Sequence, residues 1–501
     1  MSTPSAEPVT PRSGSLTAHV SWLMLAKTVG FIFNLALPML LVRRLSQTQF
    51  GVYKQLFLIA GTSAVLLPLG FAMNAYYFLP REIQRRREIV WNIMLYNALM
   101  GGLACGAFLL WPGLLGTIFN QQGLAGYAPP LGFVILLWII SQPLEIIPIA
   151  HGETKLASAL IIGVQLTRTS IYLAAVIGFG SVWALLWAAV LQGAMQTGVL
   201  WWYLQSRFSG FWQQFDWSLM RSQLSYALPL GLVGVLYTVQ TDLHDYFVSN
   251  RLGAAAFALY AVGTVDLPLL TMLQEATNAV LIPRISYLQH IQDAREIVFL
   301  MARATRKLAA AFFPAYALLA VVAPELISFF FTRRYLPAVP VFRINLTLLL
   351  INVLLQDPLF RAYINQRFFL IRLRIFITVL LVAGLYVGTS YFGVRGAITA
   401  VVVATAMERI IAAIRFGRIL GVRRKDVVFL RDIGKLAVAA AVSGMAAEAV
   451  RLLLAGRKPI LILIACGLVF SLAYLGAVWL AGIPTVEEKE MVRRKIARFM
   501  P

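Results

Sequence analysis

Long apolar runs, broken by short polar turns, fill almost the whole chain. Fourteen such runs, from 19–42 to 459–481, reach or approach the about 20 residues that a helix needs to cross hydrocarbon. The second falls at 55–79, the eighth at 255–282, and the eleventh and twelfth at 370–390 and 395–414. Backbone groups in lipid must be satisfied within their own segment, so runs of this kind are read as helices. Spanning strands would show period-two alternation and need a closed barrel. The pattern predicts an all-α polytopic membrane protein of about 14 transmembrane helices.

The polar breaks suggest an order within the runs. A tail at 1–18 precedes a six-helix lobe at 19–204, and a linker at 205–223 leads to a second six-helix lobe at 224–414. A basic loop at 415–431, two extra helices at 432–481 and a charged tail at 482–501 follow. In the linker, Phe208, Phe211, Trp212, Phe215 and Trp217 alternate with polar residues. Aromatics of that kind suit the headgroup layer, so the linker is expected to lie along the membrane surface.

Composition agrees with the pattern. The chain is 60% hydrophobic and 13% charged, about half the charged share of a soluble domain. Its formal charge of +22 resembles a nucleic-acid signal. The basic residues instead gather in turns after even-numbered runs: Arg81 to Arg87, Arg284 to Lys307, Arg361 to Arg374 and Arg415 to Arg431. Cytoplasmic loops collect Lys and Arg, so these turns predict both termini in the cytoplasm and no nucleic-acid partner. Arg43, Arg44, Arg333, Arg334, Arg451, Arg457 and Lys458 oppose that count. Cys105 and Cys466 sit within runs and read as packing residues.

An internal echo connects the lobes. RLSQTQFGVY at 44–53 recurs as RLGAAAFALY at 251–260, a displacement of 207 residues. Arg44, Leu45, Phe50 and Tyr53 map onto Arg251, Leu252, Phe257 and Tyr260. Each copy joins the first two spans of a six-span block, which predicts a parallel repeat.

Candidate chemistry lies where charge interrupts the apolar runs. Charged groups inside a span usually face a cavity or a partner, since lipid exposure costs about 2.5–3.5 kcal/mol on insertion scales. Lys27 either lines a cavity or snorkels to the surface. Arg168, mid-span among Gln165, Thr167, Thr169 and Ser170, either binds a ligand or joins a structural ion pair. Arg343 stands at the start of the tenth run. Asp242, His244 and Asp245 suit cation or proton exchange, with Asp266 and Glu275 as further carboxylates; the alternative is a plain position near water. Asn74, Tyr76, Tyr237 and Gln240 are candidate sugar contacts, because planar amides and aromatic faces suit sugars. There is no GxxxxGK[ST] loop and no HExxH. No catalytic or metal residues are assigned, and the chain is not read as an enzyme.

The RLSQTQFGVY stretch, its echo SNRLGAAAFALYAVG at 249–263 and PRISYLQ at 283–289 resemble the polysaccharide biosynthesis flippases. These belong to the multidrug/oligosaccharidyl-lipid/polysaccharide exporter superfamily. The fourteen-span count resembles that of the lipid II flippases. The resemblance implies flipping of an undecaprenyl-diphosphate-linked oligosaccharide or polysaccharide repeat unit from inner to outer leaflet by alternating access. It implies no cofactor, with coupling to a proton or sodium gradient in some relatives, and a bacterial inner-membrane location. The implied partners are the polyprenyl-diphosphate-linked glycan, membrane lipids, and polysaccharide polymerase and assembly proteins. A cation in the central cavity would meet the lipid diphosphate, the role expected of Lys27, Arg168 and Arg343. A drug or organic-cation exporter of the same superfamily is the main alternative and would favour Asp242, Asp245 and Asp266. A membrane scaffold for polysaccharide assembly is the third.

Overall fold

The computed structural model describes residues 36–213, 215–265, 267–423 and 431–483. Lys27 and most of the run 19–42 lie outside the described residues. So do Asp266, part of the basic loop and the tail from 484. Every regular element among the described residues is helical. The chain divides into two compact units, one ending at Leu243 and the other beginning at His244.

The first unit holds α1 (36–44), α2 (Gln47–Leu66), α3 (Asn74–Arg81), α4 (Arg86–Leu110), α5 (Gly113–Phe119), α6 (Ala128–Ser141), α7 (Ile147–Ala150), α8 (Thr154–Phe179), α9 (Val182–Arg207) and the start of α10 (Trp217–Gly263). Ser46 opens α2 with a reciprocal cap. Its hydroxyl accepts from the Gln49 N–H at 3.2 Å, and the Gln49 side chain accepts from the Ser46 N–H at 2.9 Å.

The predicted span 55–79 is not continuous. Pro68 has no N–H to give the Ala64 carbonyl, and Leu69 and Gly70 turn left-handed at φ 50° and 66°. The helices on either side, Gln47–Leu66 and Phe71–Arg81, meet at a 45° bend. The Gln142 amide takes over the Ala64 carbonyl at 3.1 Å, so the break costs no orphaned acceptor.

Turns near 82–85, 151–153 and 208–216 meet at one end of this unit. Arg85 pairs with Asp216, and Arg207 with Glu153 at 2.8 Å. Here the linker departs from its expected surface position. Phe208 and Phe211 are buried in the core, with Phe211 edge-on to Trp91 and Trp201. Burying these rings between α4 and α9 removes more apolar area from water than the headgroup layer would. Trp212, Phe215 and Trp217 stay exposed.

The second unit runs from His244 in α10 through α11 (Pro268–His290), α12 (Ala294–Val321), α13 (Ala323–Phe331), α14 (Val339–Asn352), α15 (Asp357–Ala362), α16 (Arg367–Ile419), α17 (Arg431–Leu453) and α18 (Pro459–Leu480). α16 is a hairpin: backbone torsions leave the helix at Gly393, and Gly388 packs backbone to backbone on Gly396. Only hydrogen side chains permit that approach, and the two limbs match the predicted runs 370–390 and 395–414. α10 also reverses, at Gly253 (φ 80°). His244 and Tyr260 would stand about 24 Å apart along a straight helix, yet their rings are 5.6 Å apart. In the predicted run 255–282, α10 ends at Gly263 and α11 starts at Pro268.

Among the described residues, ten helices are long and apolar enough to span a membrane, or eleven with the bent pair. The protein is an all-α polytopic membrane protein. The echo has a structural counterpart. The helix breaks at Ser46 and at Gly253, again 207 residues apart. Phe50, Phe257, Tyr53 and Tyr260 are all buried, while Arg44 and Arg251 are exposed.

The two last helices pack onto α12 and α13. Ile462, Cys466 and Phe470 share a core with Val322 and Ala447. Tyr474 donates to the Ala310 carbonyl at 3.1 Å.

Candidate functional site

The first unit contains a cavity of about 750 Å³. The break in the second span shapes one wall, with Leu69 and Gly70 facing Gly231 on α10. A Cβ at 231 would overlap the Leu69 carbonyl, so only glycine lets α10 approach this closely. α8 contributes one helical stripe, Ile161, Val164, Gln165 and Arg168, spaced at three and four residues. α9 contributes Gln192 and Gln196, joined by a side-chain hydrogen bond of 2.9 Å. Gly193 gives α9 its close approach to Leu137 of α6.

Arg168 is the cation of this cavity. Its guanidinium lies 5.3 Å from the Trp138 ring centre and 5.6 Å from that of Tyr172. At a half-exposed cavity wall such contacts contribute about 0.5–1 kcal/mol. Among the described residues, the unit's ion pairs Arg85–Asp216 and Arg207–Glu153 do not include it. Its Nε is buried without a hydrogen-bond partner. An Nε without a partner keeps one hydrogen-bond donor for a ligand.

Asn74 and Tyr76 line the same cavity from α3. Asn74 is 1% exposed; its amide donates to the Gln223 carbonyl at 3.2 Å, and its Oδ1 has no donor. Tyr76 is 43% exposed. Tyr237 and Gln240 follow the cavity-lining Val235 on α10 and do not line the cavity. Sequence reasoning missed Glu145, which faces the cavity just after α6, and the pair Gln192 and Gln196. Two amides four residues apart within an apolar run were the available signal.

The proposed ion-coupling residues divide. Asp242 accepts from Thr62 at 2.8 Å in the first unit. In the second, His244 Nδ1 lies 3.1 Å from the Tyr260 hydroxyl and 3.2 Å from Asp245. Glu275 is exposed on α11. Arg343, also in the second unit, donates its Nε to the Ala320 carbonyl near the end of α12 at 2.8 Å. A smaller cavity of about 230 Å³ in that unit is walled by leucines and Phe416 around Arg409. Arg409 donates to the Leu354 carbonyl at 2.8 Å.

At the turn end of the first unit, the Leu219 N–H, followed by Arg85, holds the Asp216 carboxyl below the usual carboxylate range. Burial, then the Arg86 charge, lowers His151. Among the described residues, no group of three or more His, Cys, Asp or Glu side chains is placed to hold a metal ion.

A sequence profile described as polysaccharide biosynthesis protein matches residues 16–340, nearly two thirds of the chain. The chain belongs to the polysaccharide biosynthesis protein family. No curated protein sequence matches it. Solved structures extend the likeness to the MOP superfamily of transporters. The lipid II flippase MurJ, in an inward closed conformation, superposes with a TM-score of 0.65 at 14% identity, over 91% of this chain and 98% of that one. An inward-facing multidrug resistance MATE family transporter gives 0.62 at 14% identity, over 80% and 98%. A MOP superfamily transporter from Pyrococcus furiosus gives 0.56 at 15%, over 81% and 95%. At these identities the likeness is one of fold.

Proposed function

We propose that this protein flips an undecaprenyl-diphosphate-linked oligosaccharide or repeat unit from the inner to the outer leaflet by alternating access. The observation that carries the reading is Arg168, facing the cavity of the first unit with no carboxylate partner among the described residues. A diphosphate leaving water needs charge-assisted donors to offset its lost hydration. Arg168, joined by Lys27, supplies them in this reading. Asn74 and Tyr76 contact the sugar, and Tyr237 and Gln240 lie along its route. Arg343 meets the headgroup later on its path. The cluster of His244 and Asp245, with Asp242, Asp266 and Glu275 as balancing charges, couples transport to a proton or sodium gradient. The reading includes fourteen crossings in two parallel six-helix lobes plus α17 and α18, both termini in the cytoplasm, and a bacterial inner-membrane location. Matching helix breaks at Ser46 and Gly253 support the repeat. Polymerase and assembly proteins are the expected partners.

Export of an organic cation is the second reading, favoured by Glu145 in the same cavity. Vesicles containing purified protein separate the two. Headgroup translocation by wild type should fall about 10- to 100-fold in a folded Arg168→Ala variant, the loss of one or two charge-assisted hydrogen bonds. Uptake of a hydrophobic cation without movement of the saccharide lipid would replace the flippase reading with the exporter reading.

A further inference from the structure

The smaller cavity, in the second unit, is apolar inside and basic around its edge. Its walls come from the start of α12, the turn into α15 and the last turns of α16. Val298, Leu354, Leu355, Leu359, Phe416 and Leu420 make most of them. At about 230 Å³ it falls short of the about 300–1,000 Å³ that encloses a whole small molecule. Such a space suits one end of a longer apolar molecule. The lining residues Ala302, Leu359, Phe416 and Gly417 stand one or two positions from Arg303, Arg361, Arg415 and Arg418, all four exposed. Arg303 lies 4.3 Å from the Phe299 ring centre, and Arg415 donates to the Gln366 side chain at 3.2 Å. Among the described residues, no carboxylate pairs with any of the four. Arg409 adds a further cation in the wall itself. The carboxylates of the same three segments are Asp357 and Glu408, and Glu408 accepts from the Gln356 amide at 3.1 Å. Positive charge is therefore in excess around an apolar hole.

We propose that this cavity holds part of one acyl chain of an anionic phospholipid from the surrounding bilayer, with the lipid phosphate among the arginines at its edge. The site is separate from the Arg168 cavity and does not rest on the flippase reading. The three segments that build it belong to the basic turns 284–307, 361–374 and 415–431 or directly precede them, where apolar helices give way to polar chain. Basic pockets between membrane helices recruit anionic headgroups, and each arginine near the surface adds to the attraction. A soluble anion would satisfy the arginines and leave the leucine walls facing water. A zwitterionic lipid would fill the cavity and bring an ammonium group against the arginines. Only an amphiphile with a negative head matches both halves of the site.

The test adds phosphatidylglycerol or phosphatidylcholine, with identical acyl chains, to the delipidated full chain in detergent and follows retained lipid by native mass spectrometry. Wild type is expected to retain one phosphatidylglycerol on the order of tenfold more tightly than phosphatidylcholine. Ala413→Trp fills the cavity from an exposed lining position and should abolish that retention. The surface pair Arg361→Gln and Arg418→Gln should reduce the preference to about threefold or less, through weaker binding of phosphatidylglycerol. If Ala413→Trp does not fold, the arginine pair decides. Equal retention of the two lipids by wild type, undiminished retention in folded Ala413→Trp, or an unchanged preference in the arginine pair would overturn the proposal. Tighter retention of a polyprenyl monophosphate than of phosphatidylglycerol would overturn it as well, by giving the cavity to a carrier lipid.

Discussion

Arg168 in α8 and Arg451 in α17 both lie inside membrane-spanning helices, and their surroundings differ. Arg451 reaches Glu325 on α13 at 3.0 Å and Glu448 one turn before it at 2.5 Å. Its side chain is 21% exposed, and that of Glu325 is 14% exposed. Arg168 lies against the rings of Trp138 and Tyr172, and among the described residues no carboxylate pairs with it. The first is a fastener, a charge whose desolvation is offset by two carboxylates and which ties α17 to α13. The second is a charge at the wall of a cavity with no carboxylate ion pair among the described residues. Intramembrane arginine alone therefore says little about function; its partners decide.

That contrast can be broken by substitution. The largest effect on stability is expected at Arg451→Ala, which strands Glu325 and Glu448 and should cost about 3–5 kcal/mol. A thermal or denaturant unfolding series in detergent would register it, and an effect within error would erase the distinction between the arginines. Arg168→Ala should leave the melting temperature close to that of wild type while removing saccharide-lipid binding. Lysine at 168 should restore binding only in part, because a point charge lacks the guanidinium fork.

Gly231→Ala is the next test. Its new methyl meets the Leu69 carbonyl, and separating α10 from the break at 67–70 should cost about 1–3 kcal/mol and deform the cavity. Gly234→Ala, where a Cβ meets open space, should be tolerated. The smallest change belongs to Asp216→Asn. The Asp216 carboxyl is held low, so its stabilising contribution is complete at neutral pH and disappears as pH falls through its lowered value. Wild type and variant should differ in melting temperature at pH 7 and converge in strong acid.

Much of the fold was legible because hydropathy records what lipid demands of each segment. The hairpin at Gly393 lies in the four-residue gap 391–394 between two predicted runs, and helices fill both sides. The break at 67–70 was harder to see. Pro68 and Gly70 signalled it, yet the apolar run continues through them, and Leu69 adopts a positive φ that its residue type does not announce. Buried aromatics in the linker misled for a related reason. Phe208 and Phe211 have the composition of an interfacial helix, and only the packing of α4 against α9 assigns them to the core.

The site was legible in part. Arg168, Asn74 and Tyr76 converge on one cavity although they are far apart in sequence. Glu145, Gln192 and Gln196 were missed because scattered polar residues in an apolar run more often join helices than bind ligand. Arg343, at the start of its run, shared with Arg168 the expected contact with the diphosphate, and the Ala320 carbonyl that accepts from its Nε becomes visible only once α12 and α14 are packed.

The central claim is that the saccharide headgroup enters the cavity beside Arg168. It is tested most directly by photo-crosslinking the full chain in native-like bilayers with a polyprenyl-diphosphate saccharide that carries a diazirine on its first sugar. The expected result is labelled peptides from α8 and α9, around Gln165 to Arg168 and Gln192 to Gln196, lost in Arg168→Ala. Labelling confined to α12 to α16, and unchanged in that variant, would contradict the account.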